Sequence, residues 1–337
     1  MSNPTTMRAI VQPDANAKTL TLTTAPLPTI DPAKGEHLIH VKACAPCAGE
    51  LLWPKNFPPP NPRELIPCPD VAGTVVAGPK DSPFQPGDEI YARTNYLRPG
   101  NARDFTICVT GEMAHAPKGL SAVAAAAIPV SAETAWQILF IHAGVAGPGE
   151  VGLAAAEQAW KGKRVLVTAA SGGVGIWVTQ LATLLGAEVV GTCGAANVEL
   201  VRSFGAAEVL DYRQVSLRAW VEEQPGRKVD VVIDCIGRQS LQDAWWAVKE
   251  EGVVLSIFQP PEQVKPEGWE GSGVRSVFFV MEPVRRHLEE ITKLVELGKC
   301  RGMVDSVWPL EQYQEAFKRL DEGHARGKIV FDLSLNV

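Results

Sequence analysis

The most regular hydrophobic pattern lies in the middle of the chain. Residues 165–167 form an apolar run, residues 168–175 are mostly small, and apolar residues then recur at helical spacing from Ile176 to Leu185, before Gly186. This order predicts a strand, a tight turn and a helix, and a glycine at its end is typical of a helix C-terminus.

Further apolar runs follow the same pattern. They predict five more strands, separated mostly by helical segments, at residues 187–191, 208–210, 229–234, 252–257 and 274–280. Strands that alternate with helices predict an α/β fold with a doubly wound parallel sheet of about six strands. A ligand would lie across the carboxyl ends of these strands.

The first 130 residues have a different pattern. Short strand-like runs are interrupted by proline and glycine clusters, at residues 8–11, 37–42, 71–76 and 89–92. They predict a β-rich, barrel-like domain. Residues 52–69 form a proline-rich loop whose Trp53 and Phe57 are candidates for the wall of an apolar cleft.

The last third of the chain returns to helical periodicity. Apolar residues at helical spacing predict two helices, over 284–295 and 310–320, which end before Gly298 and Gly323. Two segments are expected to be loops instead. Residues 143–163 predict a mobile loop, and the polar residues 259–273 are expected to rim the ligand cleft.

Composition narrows the class of protein. A chain of 337 residues with 46% hydrophobic residues can fill two cores. A net charge of −6 without a basic block argues against nucleic acid as a partner. We find no apolar run of membrane-spanning length, and the polar start at residues 1–7 favours a cytoplasmic location. Seven scattered cysteines favour reduced thiols.

The central turn is a candidate phosphate-binding site. Glycines allow close approach of a pyrophosphate, and the amides at the helix start face the anion, so Ser171, Gly172, Gly173 and Val174 are candidate cofactor contacts. Ala169 and Ser171 stand where early glycines could be, which leaves the pattern A-x-x-G-x-x-G. The motif is weak alone, and the alternating strands and helices around it support the interpretation.

An ordered set of motifs makes a family resemblance specific. The motifs are Lys42-Ala43 with Glu50-Leu51-Leu52, Asp70-Val71-Ala72-Gly73, Phe84 with Gly87-Asp88, residues 129–136, the glycine turn and residues 323–330. In this order they resemble the medium-chain dehydrogenases/reductases, and more narrowly the zinc-independent quinone oxidoreductase and enoyl reductase branch, including fungal members. The resemblance implies a GroES-like catalytic domain, 1–130 with 283–337, and a Rossmann domain over 131–282.

The resemblance also raises the question of a catalytic zinc. Cys47 matches the first ligand position of zinc-dependent members, but Pro69 stands at the second and only Ser131 is available near the third. Because a catalytic zinc needs about three protein ligands, we expect no metal. His37 and His40 do not form a metal pattern, since a separation of three places them on opposite faces of a strand.

Without a Lewis acid, hydride transfer to an activated alkene or a quinone is the expected chemistry. The cofactor supplies the hydride, and the protein positions the substrate and excludes water. Some relatives use a tyrosine as proton donor, but Phe57 lies near that position here. Tyr96 is the substitute candidate for catalysis and substrate binding, and a packed or solvent-facing aromatic is the alternative.

Cofactor choice is read from the end of the second strand. An acidic residue there would bind the ribose of NADH, but residues 191–197 contain none, which favours NADPH. Cys193, Asn197 and Tyr212, with Arg213, are the candidate contacts to the phosphate or the adenosine. Asn197 could also cap the helix expected over 198–204.

Strand order and the resemblance together suggest the remaining contacts. The candidates for cofactor binding are Thr134, Ile236, Gly237, Phe258, Phe278, Phe279, Val280 and Lys328, with Phe278 also facing the substrate. Two alternatives stay open. Residues 278–280 could be an edge strand and the seam of a homodimer, and Lys328 could be a surface lysine.

The sequence therefore predicts an NADPH-dependent, zinc-independent reductase of a small enone or quinone. A trans-acting enoyl reductase working on a carrier-bound polyketide is one alternative, although the acidic composition does not favour an acidic carrier protein. A protein that binds NADPH without turnover, as a redox sensor, is the other.

Overall fold

The computed structural model describes residues 5–147 and 149–335, with Pro225 described for its backbone alone. The chain divides into two compact units, one from both ends of the chain, up to Glu133 and from Glu282, and one over Thr134–Met281. The sequence placed these boundaries at 130 and 282. Parts of the predicted polar N-terminus, at residues 1–4, and of the predicted loop, at residue 148, lie outside the described residues.

The first unit begins with seven strands that pair antiparallel. They are β1 Thr6–Val11, β2 Thr21–Pro26, β3 Glu36–Ala45, β4 Asp70–Ala77, β5 Glu89–Arg93, β6 Phe105–Val109 and β7 Met113–His115. All four strands predicted here are present. His37 is fully buried and His40 is exposed, which confirms that they face opposite sides of β3.

Three helices follow or interrupt these strands: α1 Trp53–Asn56, α2 Ala122–Ala126 and α3 Pro129–Gln137. The first lies in the proline-rich segment that the sequence predicted as a loop, so that prediction was wrong over these four residues. Pro54 stands in the first turn of α1, where its missing amide hydrogen costs nothing. A π-helical turn, Ile138–His142, continues α3.

The second unit contains a six-stranded parallel sheet, as predicted. Its strands are β8 Arg164–Val167, β9 Glu188–Cys193, β10 Glu208–Asp211, β11 Val229–Asp234, β12 Val248–Ser256 and β13 Arg275–Phe278. The order across the sheet is β10-β9-β8-β11-β12-β13. This is the order of a Rossmann fold, in which the switch point lies at the first strand, here β8.

Five helices belong to this unit: α4 Leu153–Trp160, α5 Gly173–Leu184, α6 Val198–Ser203, α7 Leu217–Glu223 and α8 Arg238–Ala244. Helix α4 corrects the prediction of a loop over 143–163. Glycines begin that segment, but Ala156 and Trp160 at helical spacing bury one face of the helix, and the Trp160 Nε1 donates to the Leu139 carbonyl at 3.0 Å. Packing of this face stabilises the helix.

The C-terminal part returns to the first unit. It adds α9 Arg285–Glu296, β14 Val304–Trp308, α10 Tyr313–Asp321 and β15 Lys328–Asp332. Strand β15 pairs antiparallel with β3, so the two ends of the chain share one sheet. Gly298 and Gly323 follow the two helices with positive φ angles of 67° and 71°, which confirms both predicted helix ends.

Among the residues that the structure describes, one helical stretch is long and apolar enough to cross a membrane. It covers Ala122–His142, and 89% of its most apolar window is buried inside the structure. The sequence was expected to contain no run of this length. Burial within the protein is typical of a core helix, so the stretch is weak evidence for a membrane span.

Candidate functional site

The glycine turn connects β8 to α5 through a backbone that only small residues allow. Ala169 has a φ of 48°, the left-handed region that glycine prefers, in the place of an early glycine of the common motif. A Cβ on Gly175 would lie 2.2 Å from the Ala169 carbonyl oxygen, so a side chain cannot fit there. Gly172 is the N-cap and Gly173 the first residue of the twelve-residue helix. Free amides of this first turn suit an anion.

A buried carboxylate ties together the carboxyl ends of three neighbouring strands. Asp234 ends β11, and its Oδ1 accepts a hydrogen bond from the Thr168 hydroxyl at 2.9 Å, while its Oδ2 accepts one from the Ser256 hydroxyl at 3.0 Å. The Gly237 amide donates to the same Oδ2 at 2.6 Å. Burial raises the pKa of Asp234, and these hydrogen bonds oppose that rise. The network fixes the edge where a dinucleotide would lie.

Asn197 does not cap the following helix with its side chain, and its predicted contact to the cofactor stays a prediction. Its side chain makes no capping bond to α6, which corrects the prediction of a helix cap. Instead its Nδ2 donates to the Ser171 hydroxyl at 3.1 Å, while its Oδ1 is buried without a hydrogen-bond partner among the described residues. Ser171 and Asn197 therefore form one polar group that links the glycine turn to the end of β9.

The end of β9 also contacts the end of β10. The Tyr212 amide donates to the Cys193 carbonyl at 3.2 Å, and the guanidinium of Arg213 lies 5.6 Å from the centre of the Tyr212 ring. The sequence missed Asp211, which pairs with Cys193 across the two strands. Burial first, and the Asp211 carboxylate second, raise the pKa of the Cys193 thiol to about 11. Asp211 Oδ1 accepts the Arg213 amide at 3.1 Å.

Exposed apolar side chains follow the next three strands. Ile236, Phe258 and Phe278 are 42%, 50% and 36% exposed, at the carboxyl ends of β11, β12 and β13. Val280, two residues after β13, is also exposed. Gly237 has a φ of 74°, and a Cβ there would lie 2.1 Å from the Phe258 ring. The edge thus offers an apolar surface next to the polar network of Asp234.

Thr134 and Phe279, two further residues predicted to contact the cofactor, are partly covered by other parts of the protein. Thr134 lies on α3 and is 5% exposed. The Phe279 ring stacks on the His142 ring with 4.0 Å between the centroids. Arg275 on β13 donates to the His142 carbonyl at 3.1 Å, which holds this segment near the end of the π-helical turn.

Lys328 is buried in the first unit, so the alternative of a surface lysine was wrong. It is 6% exposed, its Nζ lies 3.0 Å from Asp70 Oδ2, and it donates to the Pro46 carbonyl at 2.5 Å. Burial lowers the pKa of this ammonium group, but the Asp70 carboxylate and the groups around Cys47 outweigh burial and raise it overall. The Val130 amide donates to the other carboxylate oxygen of Asp70 at 2.7 Å.

Glu50 is a second buried carboxyl group, beside the same pair, whose importance the sequence did not reveal. Its two oxygens accept the amides of Cys47 at 3.2 Å and Cys68 at 3.0 Å. Burial raises its pKa to about 8. The sequence placed Glu50 in a family motif but assigned it no role, and an acidic residue in an apolar segment is usually solvated.

The residues here do not fit a catalytic zinc. Cys47 could supply one thiolate, but Pro69 has no side-chain donor atom and Ser131 offers only a buried hydroxyl. The Lys328 ammonium already places a positive charge close to this thiol. Within residues 5–147 and 149–335, no three His, Cys, Asp or Glu side chains are grouped to hold a metal ion.

Three of the predicted substrate-binding residues lie together. The rings of Trp53 and Tyr96 meet edge to face with 6.5 Å between their centroids. The Tyr96 hydroxyl donates to the Phe57 carbonyl at 3.1 Å. Tyr96 is therefore a packed aromatic whose hydroxyl must leave Phe57 before it can protonate a substrate.

Comparisons with known proteins agree with this architecture. Residues 33–139 match the alcohol dehydrogenase GroES-like domain, and residues 204–331 match the family described as zinc-binding dehydrogenase. A probable zinc-binding oxidoreductase, mitochondrial, from Arthroderma benhamiae is 49% identical over 98% of this chain and 97% of its own length. A chloroplast envelope quinone oxidoreductase homolog from Arabidopsis thaliana is 34% identical over 83% of this chain and 81% of its own.

Solved structures show the same fold. The quinone oxidoreductase from Coxiella burnetii has a TM-score of 0.78 at 23% identity, over 97% of this chain and 99% of that one. The zinc named for the family and for the first relative disagrees with the side chains around Cys47. The chain belongs to the medium-chain dehydrogenase/reductase superfamily, in its quinone oxidoreductase-like branch, and is an oxidoreductase that works with a nicotinamide cofactor.

Proposed function

We propose that the protein is an NADPH-dependent, zinc-independent reductase that transfers hydride to an activated C=C bond or to a quinone. The observation that carries the proposal is the carboxyl edge of the parallel sheet, where the glycine turn, the Asp234 network and the exposed Ile236, Phe258 and Phe278 lie in strand order. Such an edge suits a phosphate at one end and a flat apolar ring at the other.

NADPH, when bound, supplies the hydride. The chain's own residues would bind and orient it: amides from Gly172 onward would hold the pyrophosphate, and Gly237 would allow its close approach. Arg213, with Tyr212 beside Cys193, provides the positive charge that a 2′-phosphate requires. Asp211 is the opposing feature, since a carboxylate repels that phosphate. One oxygen of the Asp211 carboxylate accepts a hydrogen bond from the Arg213 backbone amide and is therefore turned towards the backbone.

On the substrate side, Trp53, Phe57 and Tyr96 supply apolar walls, and Tyr96 is the candidate proton donor. Its hydroxyl is held by a backbone carbonyl, which keeps it in place until a substrate oxygen replaces that acceptor. Lys328 remains a candidate cofactor neighbour. Its Nζ already contacts Asp70 and Pro46, so it would act on the cofactor through its charge and not through a new hydrogen bond.

The test is a titration of metal-stripped protein with NADPH and NADH, followed by oxidation of the bound cofactor by quinones and α,β-unsaturated carbonyls. Tight NADPH binding and turnover without added zinc would support the proposal. Activity that returns only with zinc would refute zinc independence, and tighter binding of NADH would refute the cofactor choice.

The other expectations stay predictions. Redox sensing is disfavoured because burial raises the pKa of the Cys47 and Cys193 thiols to about 11, which suppresses the reactive thiolate. A trans-acting enoyl reductase would accept carrier-bound substrates in preference to free ones. A homodimer would be measured by sedimentation, with β13 available as the edge strand of the sheet. The cytoplasmic location would be measured by fractionation.

A further inference from the structure

A pocket in the first unit lies beside the predicted substrate-binding aromatics. Trp53 and Tyr96 form part of its wall, with the apolar residues Leu51, Leu65 and Ile66 around them. Six polar side chains also line it: Gln12, Glu50, Arg63, Thr94, Asn95 and Arg98. Most of these groups have hydrogen-bond or charge partners within the protein. Arg63 has a backbone acceptor but pairs with no carboxylate of the described residues.

Arg63 is a pocket arginine that forms no ion pair with the described residues. It is half-buried, and its Nη1 donates only to the carbonyl of its neighbour Glu64, at 3.0 Å. Its Nε is buried and has no acceptor, and no carboxylate of the described residues forms an ion pair with it. On the same pocket wall, the guanidinium of Arg98 is paired with Glu112, so the two arginines differ. The buried Nε of Arg63 is therefore a polar atom without an acceptor, which is unfavourable until one is supplied.

Among the described residues, no neighbouring side chain of the pocket accepts a hydrogen bond from Arg63. Both oxygens of Glu50 accept backbone amides, and burial raises the pKa of this carboxyl group to about 8, so most of it is neutral at pH 7. Gln12 donates to the carbonyls of Ala17 and Leu51. The Tyr96 hydroxyl is engaged by Phe57. With Arg98 paired with Glu112 and Glu50 mostly neutral, the charge of Arg63 leaves the pocket positive.

We propose that this pocket binds a carboxylate of the substrate through Arg63, so that the enzyme selects unsaturated carbonyl compounds that carry an acid group. Because Nη1 is engaged by Glu64, the edge formed by Nε and Nη2 is left without an acceptor, and its two parallel N–H groups match the two oxygens of a carboxylate. Trp53 and Tyr96 then cover the apolar body of the ligand. The selection of substrates rests on the proposed reductase function, whereas carboxylate binding does not.

The kinetic test compares trans-4-oxo-2-pentenoic acid with its methyl ester, which differ in the charged group. For Arg63→Gln we expect KM for the acid to rise about 10- to 100-fold, the range of a charge-assisted hydrogen bond, with kcat and the constants for the ester within about twofold. Arg63→Lys should recover part of the affinity for the acid. Arg218→Gln, at an exposed arginine of the second unit, is the matched control and should change neither substrate.

Calorimetry separates this proposal from the reductase proposal. The acid is titrated into cofactor-free wild type, Arg63→Gln and Arg218→Gln, without any turnover. Binding by wild type and the control, weakened at least tenfold in Arg63→Gln, would support the pocket even if neither substrate were reduced. Equal affinity of wild type for acid and ester, or an unchanged affinity in Arg63→Gln, would overturn it. Absence of NADPH oxidation with both compounds, together with normal acid binding, would count against the reductase alone.

Discussion

Lys328 and Asp70 form a buried ion pair in the first unit, with 3.0 Å between Nζ and Oδ2 and almost no exposure of either side chain. Asp70 lies at the start of β4 and Lys328 at the start of β15, so the pair joins the two ends of the chain within one sheet. A buried pair of this kind contributes little net stability, but removing one partner leaves an uncompensated charge.

The first prediction concerns this pair. Lys328→Met should lower the free energy of unfolding by about 3–5 kcal/mol. The double variant with Lys328→Met and Asp70→Asn should lose less of this free energy than the two single variants lose together. Urea denaturation measures both. In the wild type, the raised pKa of Lys328 contributes to the free energy of unfolding. This contribution is present below about pH 10 and is lost at higher pH. Additive effects of the two substitutions would contradict the coupling.

The second prediction uses Glu50. Its pKa rises from an ordinary value near 4.5 to about 8 on folding, so the folded state holds a proton that the unfolded state releases between these values. Stability should therefore fall as pH rises across this window, by up to about 1.4 kcal/mol per pH unit from this group. Glu50→Gln should remove this slope in urea denaturation at pH 5 to 8. The exposed Glu199→Gln should not, and an unchanged slope in Glu50→Gln would refute the assignment.

The third prediction tests the glycine turn. Gly173→Asp places a carboxylate at the first residue of α5, facing the pyrophosphate, and should abolish NADPH binding while the fold stays largely intact. Fluorescence titration and circular dichroism measure the two effects. Gly226→Asp, where a side chain meets open space in the same unit, is the control and should bind NADPH normally. Unchanged affinity in Gly173→Asp would remove the turn from the cofactor site.

The fourth prediction tests the choice between NADPH and NADH. Arg213→Ala should weaken NADPH binding about tenfold or more, since a charge-assisted hydrogen bond is lost, and should leave NADH binding within about twofold. Asp211→Asn should strengthen NADPH binding if its carboxylate opposes the phosphate. Equal losses for both cofactors in Arg213→Ala would instead assign Arg213 to the adenosine or to packing.

The fifth prediction concerns the proton donor. Tyr96→Phe keeps the ring against Trp53 but removes the hydroxyl that donates to Phe57. If Tyr96 protonates an enone, kcat should fall about 100-fold, and reduction of a quinone that takes its protons from water should fall much less. Stopped-flow oxidation of NADPH separates hydride transfer from binding. Equal, small effects on both substrates would leave Tyr96 as a wall of the pocket.

Much of the second unit could be predicted from the sequence because its signals are local. The runs of β-branched residues, the small-residue turn and the helical spacing after it each depend on neighbours within about ten positions. They gave all six strands and the helix after the turn, and Gly186 ends α5 with a φ of 79°, as predicted. The segment 143–163 failed because glycines suggested a loop, while buried faces of Ala156 and Trp160 stabilise a helix.

The sequence by itself determined the fold class, the family and the strand, turn and helix proposed to hold the phosphates. Only the tertiary structure decided which polar groups meet. Asn197 donates to Ser171 instead of capping a helix, and Lys328 is buried against Asp70, 258 positions away along the chain. Arg63 pairs with no carboxylate of the described residues, although nothing in its sequence neighbourhood distinguishes it from Arg98. The physical reason is that burial and pairing of charges depend on contacts between distant segments, which no local pattern encodes.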